Sequence, residues 1–221
     1  MQGQDLAAFS LFQATDRATL DWLASRAHSY QFPPGQAVLM EDAWGNAVYF
    51  VMAGWLKVRS IGANQAPRTL AILSKGDFFG EMAVLDESPR STDVLAFSAV
   101  SVFSIPAPVF MEFLAKDSQT CLQMLRLMVK RVRLANQASQ LRQQLPAVRL
   151  ANVLVNLALN YGTELLFIPY KDMADLTQLS AEEVATILDK LMARKWLSID
   201  PHAQAMTITN LKQINQIAMA R

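Results

Sequence analysis

From Cys121, the residues Leu125, Met128, Val132, Ala135 and Ser139 follow one another at intervals of four, three, four, three and four. That spacing lays them along one seam of a long helix, and a seam of this kind is covered by a second helix. A further stripe, Leu127, Leu134, Ala138, Leu141 and Leu145, widens the apolar face, so the helix can pack on its own domain and on a second copy of itself. The reading is a homodimer with Leu125, Met128, Val132, Ala135 and Ser139 at its seam. Pro146 ends the helix, and everything else in the chain must be arranged before or after it.

What precedes the helix reads differently. Residues 5–28 suggest one or two short helices, and Phe32-Pro33-Pro34-Gly35 must turn. From Ala37 to about Ile105 come short apolar segments (AVLM, AVYFVM, WLKVRSI, TLAIL, VLAFSAVSVFSI), separated by turn signals such as Ala53-Gly54 and Lys75-Gly76-Asp77. This is an antiparallel β domain, a sandwich or a roll. Pro108 then sits near the first turn of another helix.

Charge divides the chain in the same places. Residues 1–115 carry a net −4, residues 116–149 a net +6 and residues 150–221 a net −1, within an overall +1. The total gives no global attraction to nucleic acid or an anionic membrane, so any such attraction is local.

Within the β domain, one stretch has its own chemical logic: Gly76-Asp77-Phe78-Phe79-Gly80-Glu81-Met82-Ala83-Val84-Leu85-Asp86-Glu87-Ser88-Pro89-Arg90-Ser91-Thr92. Gly80 and the turn at Pro89 allow close backbone approach, Arg90 supplies a counter-charge for a phosphate, and Glu81 can receive a ribose hydroxyl. The stretch resembles the phosphate-binding cassette of the Crp/Fnr family of bacterial regulators, and the order of patterns is similar along essentially the whole chain. The resemblance implies an α+β protein with an N-terminal β-roll, a long dimerisation helix and a C-terminal winged helix-turn-helix. Its domains would be a cyclic-nucleotide-binding-like sensor over residues 1–115, the dimerisation helix over 116–146 and the winged helix-turn-helix over 147–221.

If the family's cyclic AMP site carries over, Gly80, Glu81, Arg90 and Ser91 hold the ribose and cyclic phosphate. The two hydroxyl side chains that read adenine align with Ala135 and Asn136 here. Ala135 cannot hydrogen-bond, which weakens discrimination by roughly 1 kcal/mol or more. Arg126, Lys130, Arg131 and Arg133 crowd the helix beside this site, and Arg90-Ser91-Thr92-Asp93 has the form Arg-x-x-Asp, which resembles an element that recurs in cyclic di-GMP sites. Arginines can pair with phosphates or guanine edges, and a carboxylate can accept from guanine N1–H. The effector contacts are therefore expected at Gly80, Glu81, Arg90, Ser91, Thr92, Asp93, Arg131, Arg133 and Asn136, with cyclic di-GMP slightly ahead of cyclic AMP. A structural turn closed by an ion pair is the alternative.

After Ile168-Pro169, the stretch YKDMADLTQLSAEEVATILDKLMARKWLSI has two helical halves, and Ser180 with Glu183 makes a capping box. The MTIT segment can form one strand of a wing, and Leu211 to Ala218 a terminal helix. The presumed recognition helix, Ser180 to Lys190, carries −2. Family positions aligned with Ala181 and Thr186 are commonly arginine, and only Glu182 keeps the family's residue. Each lost bidentate contact removes roughly 1–3 kcal/mol of base discrimination. Ser180, Ala181, Glu182, Thr186, Lys190, Arg194 and Lys195 are the residues expected to touch DNA or, in the competing reading, another transcription regulator.

Other chemistries have little to draw on. With Cys121 as the single cysteine and His28 and His202 as the histidines, there is no disulfide, no four-thiolate cluster, and little for a metal or haem. No catalytic residue, metal or cofactor is expected, only an effector. The lone cysteine fits a reducing cytoplasm, MQGQDLAAFS shows no secretory pattern, and no stretch reads as a membrane helix, so a soluble cytoplasmic protein is expected.

Overall fold

The computed structural model describes residues 2–61, 66–140 and 143–220, with side chains of 137–140 left aside. It divides into two compact units, Met1–Arg133 and Leu134–Arg221, with the division inside the long helix rather than at either of its ends.

The first unit opens with α1 (Gly3–Leu6), a 3-10 turn (Ser10–Phe12) and α2 (Arg17–Ala24). The strands β1 (His28–Phe32), β2 (Ala37–Leu39), β3 (Ala47–Ala53), β4 (Trp55–Ile61), β5 (Pro67–Ser74) and β6 (Phe78–Phe79) follow. Then come α3 (Glu81–Leu85), β7 (Asp93–Ala96), β8 (Val100–Pro106), α4 (Ala107–Lys116) and α5 (Ser118–Gln140). Two four-stranded sheets result, in the orders β1-β8-β3-β6 and β2-β7-β4-β5, with antiparallel pairing throughout.

Strand alternation explains why the first sheet is apolar on both faces. In β3, Val48 and Phe50 point to one side and Tyr49 and Val51 to the other; in β8, Phe103 and Ile105 oppose Val100 and Val102. The first set joins Leu6, Phe9, Leu11, Phe12, Leu23, Phe110, Phe113 and Met124 in a helix-covered core. There Phe50 stacks on Phe103 at 4.8 Å and meets Phe9 edge-on at 5.3 Å. The second set packs with Leu39, Leu56, Phe79, Val94 and Ala96, residues drawn from both sheets, so the second core lies between the sheets. Strand β1 was not legible in the sequence, because its residues are exposed or half-buried and carry no apolar run. The five-residue α3 was not legible either.

Helix α5 presents two different faces. Met124 is buried, and Leu127 and Met128 pack against the helix-covered core. Leu122, Leu125, Val129 and Val132 are exposed along the other face, and so is Ala135. The exposed apolar strip thus runs through Val129, while Met128 turns toward its own domain; Ser139 lies outside the described side chains.

The second unit holds α6 (Pro146–Tyr161), β9 (Glu164–Leu166), α7 (Tyr170–Thr177), α8 (Ala181–Ala193), β10 (Leu197–Asp200), β11 (Ala205–Ile208) and α9 (Leu211–Ala218). The strands form a sheet in the order β10-β11-β9 beside the α7–α8 pair; the MTIT segment enters its central strand, β11, and β9 and β10 are the strands the sequence did not show. Leu197, Ser198 and Ile199, which the sequence pattern puts at the end of a helical half, lie in strand β10.

Candidate functional site

Strand β6 delivers the chain to Gly80, whose φ of 80° is left-handed. A Cβ there would lie 2.6 Å from Arg90 Nη1, so only glycine allows both the turn and the close approach of the guanidinium. Glu81 then opens α3.

Arg90 is only 4% exposed. One guanidinium nitrogen donates to the Gly80 carbonyl and another to the Ala47 carbonyl at 2.8 Å, and the group lies 5.9 Å from the centre of the Tyr49 ring. Among the described residues its contacts are carbonyl oxygens and a ring, not carboxylates. Burial pushes the Arg90 guanidinium below its usual pKa, against the pull of Tyr49 and Glu81. Burial likewise raises the Tyr49 phenol.

Glu81 is 2% exposed and pairs with Arg131 of α5. Arg131 also donates to the Phe78 carbonyl at 2.5 Å and lies over the Phe78 ring at 4.4 Å. The sequence-selected residues Gly80, Glu81, Arg90 and Arg131 are therefore joined by direct contacts or by neighbours in one turn.

Asp93 is placed differently. Its carboxylate accepts from Arg59 Nε at 2.9 Å and from the Glu41 amide at 2.8 Å, where β7 meets β4. Asp93 thus ties the second sheet together instead of standing beside Arg90 as a free guanine acceptor. Ser91 is exposed and Thr92 half-buried. Arg126, Lys130, Arg133 and Asn136 are exposed on α5. Sequence reasoning missed Tyr49, Phe78 and Arg59. The parity of AVYFVM places Tyr49 opposite Phe50, but no local signal couples it to Arg90, forty-one residues later.

In the second unit, the Ser180 hydroxyl accepts from the Glu183 amide at 3.1 Å, and the Glu183 carboxylate accepts from the Ser180 amide at 2.8 Å. Arg149 of α6 donates to the carbonyls of Thr177 (2.8 Å) and Gln178, clamping the turn between α7 and α8. Ala181, Glu182, Thr186 and Lys190 are exposed on α8. Arg194, also exposed, lies over the Trp196 ring at 5.0 Å, and Lys195 occupies a left-handed turn position with φ 57°.

Residues 30–117 match the cyclic nucleotide-binding domain family. Over 88% of its length the chain is 24% identical to a CRP-like cAMP-activated global transcriptional regulator of Mycobacterium tuberculosis, covering 91% of that protein. The chain resembles regulators of the Crp/Fnr type. Among solved structures, FixK2 from Bradyrhizobium japonicum has a TM-score of 0.76 and 18% identity, over 88% of this chain and 98% of that one. The c-di-GMP responsive global regulator CLP of Xanthomonas campestris has a TM-score of 0.67 and 17% identity, over 87% and 99%. As in the solved Crp/Fnr-type folds, an antiparallel β-roll precedes C-terminal helix-turn-helix elements. Among the described residues no helix is long and apolar enough to cross a membrane, and no cluster of three metal-ligating side chains is found.

Proposed function

We propose that this Crp/Fnr-type chain is a homodimeric, effector-sensing transcription regulator whose first unit binds a cyclic nucleotide phosphate at Arg90. The observation that carries the reading is a buried guanidinium whose hydrogen bonds, among the described residues, go to the Gly80 and Ala47 carbonyls, while the nearby Glu81 carboxylate is bonded to Arg131. Burying a charge without a directly bonded opposite charge is costly, and an arriving phosphate supplies one. Glu81 is placed to receive a ribose hydroxyl, at the cost of its pairing with Arg131. Because Arg131 belongs to α5, effector binding changes a contact of the dimerisation helix, which we assign to residues 116–146. A population shift in how two such helices pack then re-aims the second units. The exposed strip Leu122, Leu125, Val129 and Val132 supports that pairing.

The use of Asp93 by Arg59 supports a cyclic mononucleotide as effector. Cyclic di-GMP is the second reading: Arg126, Lys130 and Arg133 are exposed for a second phosphate, and one similar fold is that of a c-di-GMP responsive regulator. Calorimetry with cyclic AMP, cyclic GMP and cyclic di-GMP tests both. Binding of one of them supports the sensor reading, and no heat with any of the three sinks it.

The output acts through DNA or through another transcription regulator. The acidic, arginine-free α8 supports the partner route, because an acidic helix repels phosphate. A gel-shift titration separates the two, since phosphate-driven binding strengthens steeply as salt falls. Retardation at low salt supports the DNA route, and none even there leaves the partner route.

A further inference from the structure

On the first unit, four large apolar side chains stand in water on one hydrogen-bonded platform. Trp44 is 74% exposed, Met40 65%, Met82 56% and Leu85 36%. Single exposed apolar residues are ordinary, but a contiguous group of them usually marks a contact surface. The backbone joins these four. The loop from Met40 to Asn46 is fastened to the cassette by the Asp42 amide donating to the Arg90 carbonyl (2.9 Å), the Arg90 amide donating to the Ala43 carbonyl (2.8 Å), and a bridge between Trp44 and Pro89. At Gly45 a Cβ would come within 2.7 Å of the Ala83 Cβ, so the loop lies directly against α3. Within α3, Met82 and Leu85 share the outer face, while Ala83 and Val84 are buried.

The exposed charge of these two segments has one sign, the neighbouring Arg90 being buried and Arg131 paired with Glu81. Residues 40–46 and 81–89 contain Glu41, Asp42, Glu81, Asp86 and Glu87 and no Lys, Arg or His. Asp42, Asp86 and Glu87 are exposed. Arg59, which reaches this region through Asp93, is already ion-paired. Asp42 and Glu87 also hold left-handed backbone, with φ of 65° and 53°, where glycine would be less strained.

We propose that this platform docks a segment of another protein that pairs apolar side chains with lysine or arginine, in the manner of a cationic amphipathic helix. Charge selects that occupant: carboxylates around the patch repel the phosphates of nucleic acid and of an anionic membrane, and attract a basic peptide. The patch chemistry agrees with this choice. An exposed tryptophan is the side chain most often dominant in binding, and methionines adapt to varied apolar partners.

The test uses the full chain without nucleotide, so its outcome is independent of the effector site. The chain is titrated with a synthetic peptide of leucine and lysine at helical spacing and with its leucine–glutamate counterpart, read by calorimetry and tryptophan emission. The leucine–lysine peptide binds and shifts the emission to shorter wavelength, while the leucine–glutamate peptide does not bind. Trp44→Ser with Met82→Ser weakens binding by about tenfold or more, as loss of an interface anchor does, and Asp42→Asn with Asp86→Asn weakens it less. Leu85→Ser is the second variant should the first not fold. Unchanged binding in Trp44→Ser/Met82→Ser, or equal binding of both peptides, overturns the proposal. So does concentration-dependent self-association that the same substitutions abolish, because a second copy would then be the occupant.

Discussion

The cassette and the helix-turn-helix present the same family geometry with opposite relations to their chemistry. In the first unit, the side chains that make the shape are also those suited to a ligand: Gly80 exists to admit Arg90, and Glu81 and Arg131 close the same turn. In the second, shape is held by one set of residues, Ser180, Glu183 and Arg149, while the outward face of α8 includes Ala181, Glu182, Thr186, Asp189 and Lys190. A helix pair can therefore keep its fold while its contact surface drifts, whereas a buried charge site cannot change one member without unsettling the others.

The largest effect is expected from breaking that interdependence. Arg131→Met leaves Glu81 charged and buried without its partner. Removing one member of a buried pair costs several kcal/mol, and because water already reaches Arg131, about 2–3 kcal/mol is expected here. Hydrogen exchange resolved by segment should show α3 and β6 loosening while α7 and α8 stay unchanged; equal protection in all of them would break the comparison. Next comes Arg90→Ala, which removes the phosphate's charge-assisted partner and should weaken nucleotide binding by about 2 kcal/mol, roughly thirtyfold in the calorimetric Kd. An unchanged Kd would place the nucleotide elsewhere.

In the second unit a comparable substitution should act on stability alone. Ser180→Ala removes the cap of α8 and is expected to cost about 1 kcal/mol. Thermal unfolding followed by segment-resolved exchange should show the loss in α7 and α8, with the nucleotide Kd unmoved. A shifted Kd would mean that the cap contributes to the sensor site.

What the sequence disclosed follows the same division. The β segments, the heptad-spaced helix and the Ser180 box were readable because their signals are local: alternation, spacing and a cap three residues from its partner. The cassette's Gly80, Glu81 and Arg90 were readable as chemistry within a short stretch. What escaped depends on pairing at a distance. Tyr49 under Arg90, the carbonyl of Ala47 and the capture of Asp93 by Arg59 are consequences of sheet register, which no window of the sequence contains. Heptad counting puts Met128 on the seam and Leu127 on the second stripe, but no count along the helix fixes how far round the face toward its own domain reaches. In the structure Met128 packs against its own core and Val129 takes the exposed strip, as happens when a helix serves two neighbours.

The smallest effect separates the caps of α2 and α5 from that of α9 by acid. In the first unit, Asp16 and Asp117 cap α2 and α5 with carboxylates. Asp16 accepts from the Thr19 amide at 3.0 Å, and Asp117 from the Thr120 hydroxyl at 2.6 Å and the Gln119 amide at 2.9 Å. Hydrogen bonds, above all from the Thr19 and Thr120 hydroxyls, hold both below the usual aspartate pKa. A folded-state value below the unfolded one means stabilisation that is complete above the unfolded pKa, about 3.9, and is lost as pH falls through the folded value. In the second unit, α9 is capped by Asn210, whose amide accepts from the Gln213 amide at 3.2 Å and has no proton to gain over this range. Amide exchange at the starts of α2 and α5 should therefore rise below about pH 4, and replacing both caps, Asp16→Asn with Asp117→Asn, should flatten that rise while leaving the start of α9 as it was. An acid response at α2 and α5 that survives both substitutions would assign it to other carboxylates, and these two caps would then differ from that of α9 in their chemistry but not in how they respond to acid.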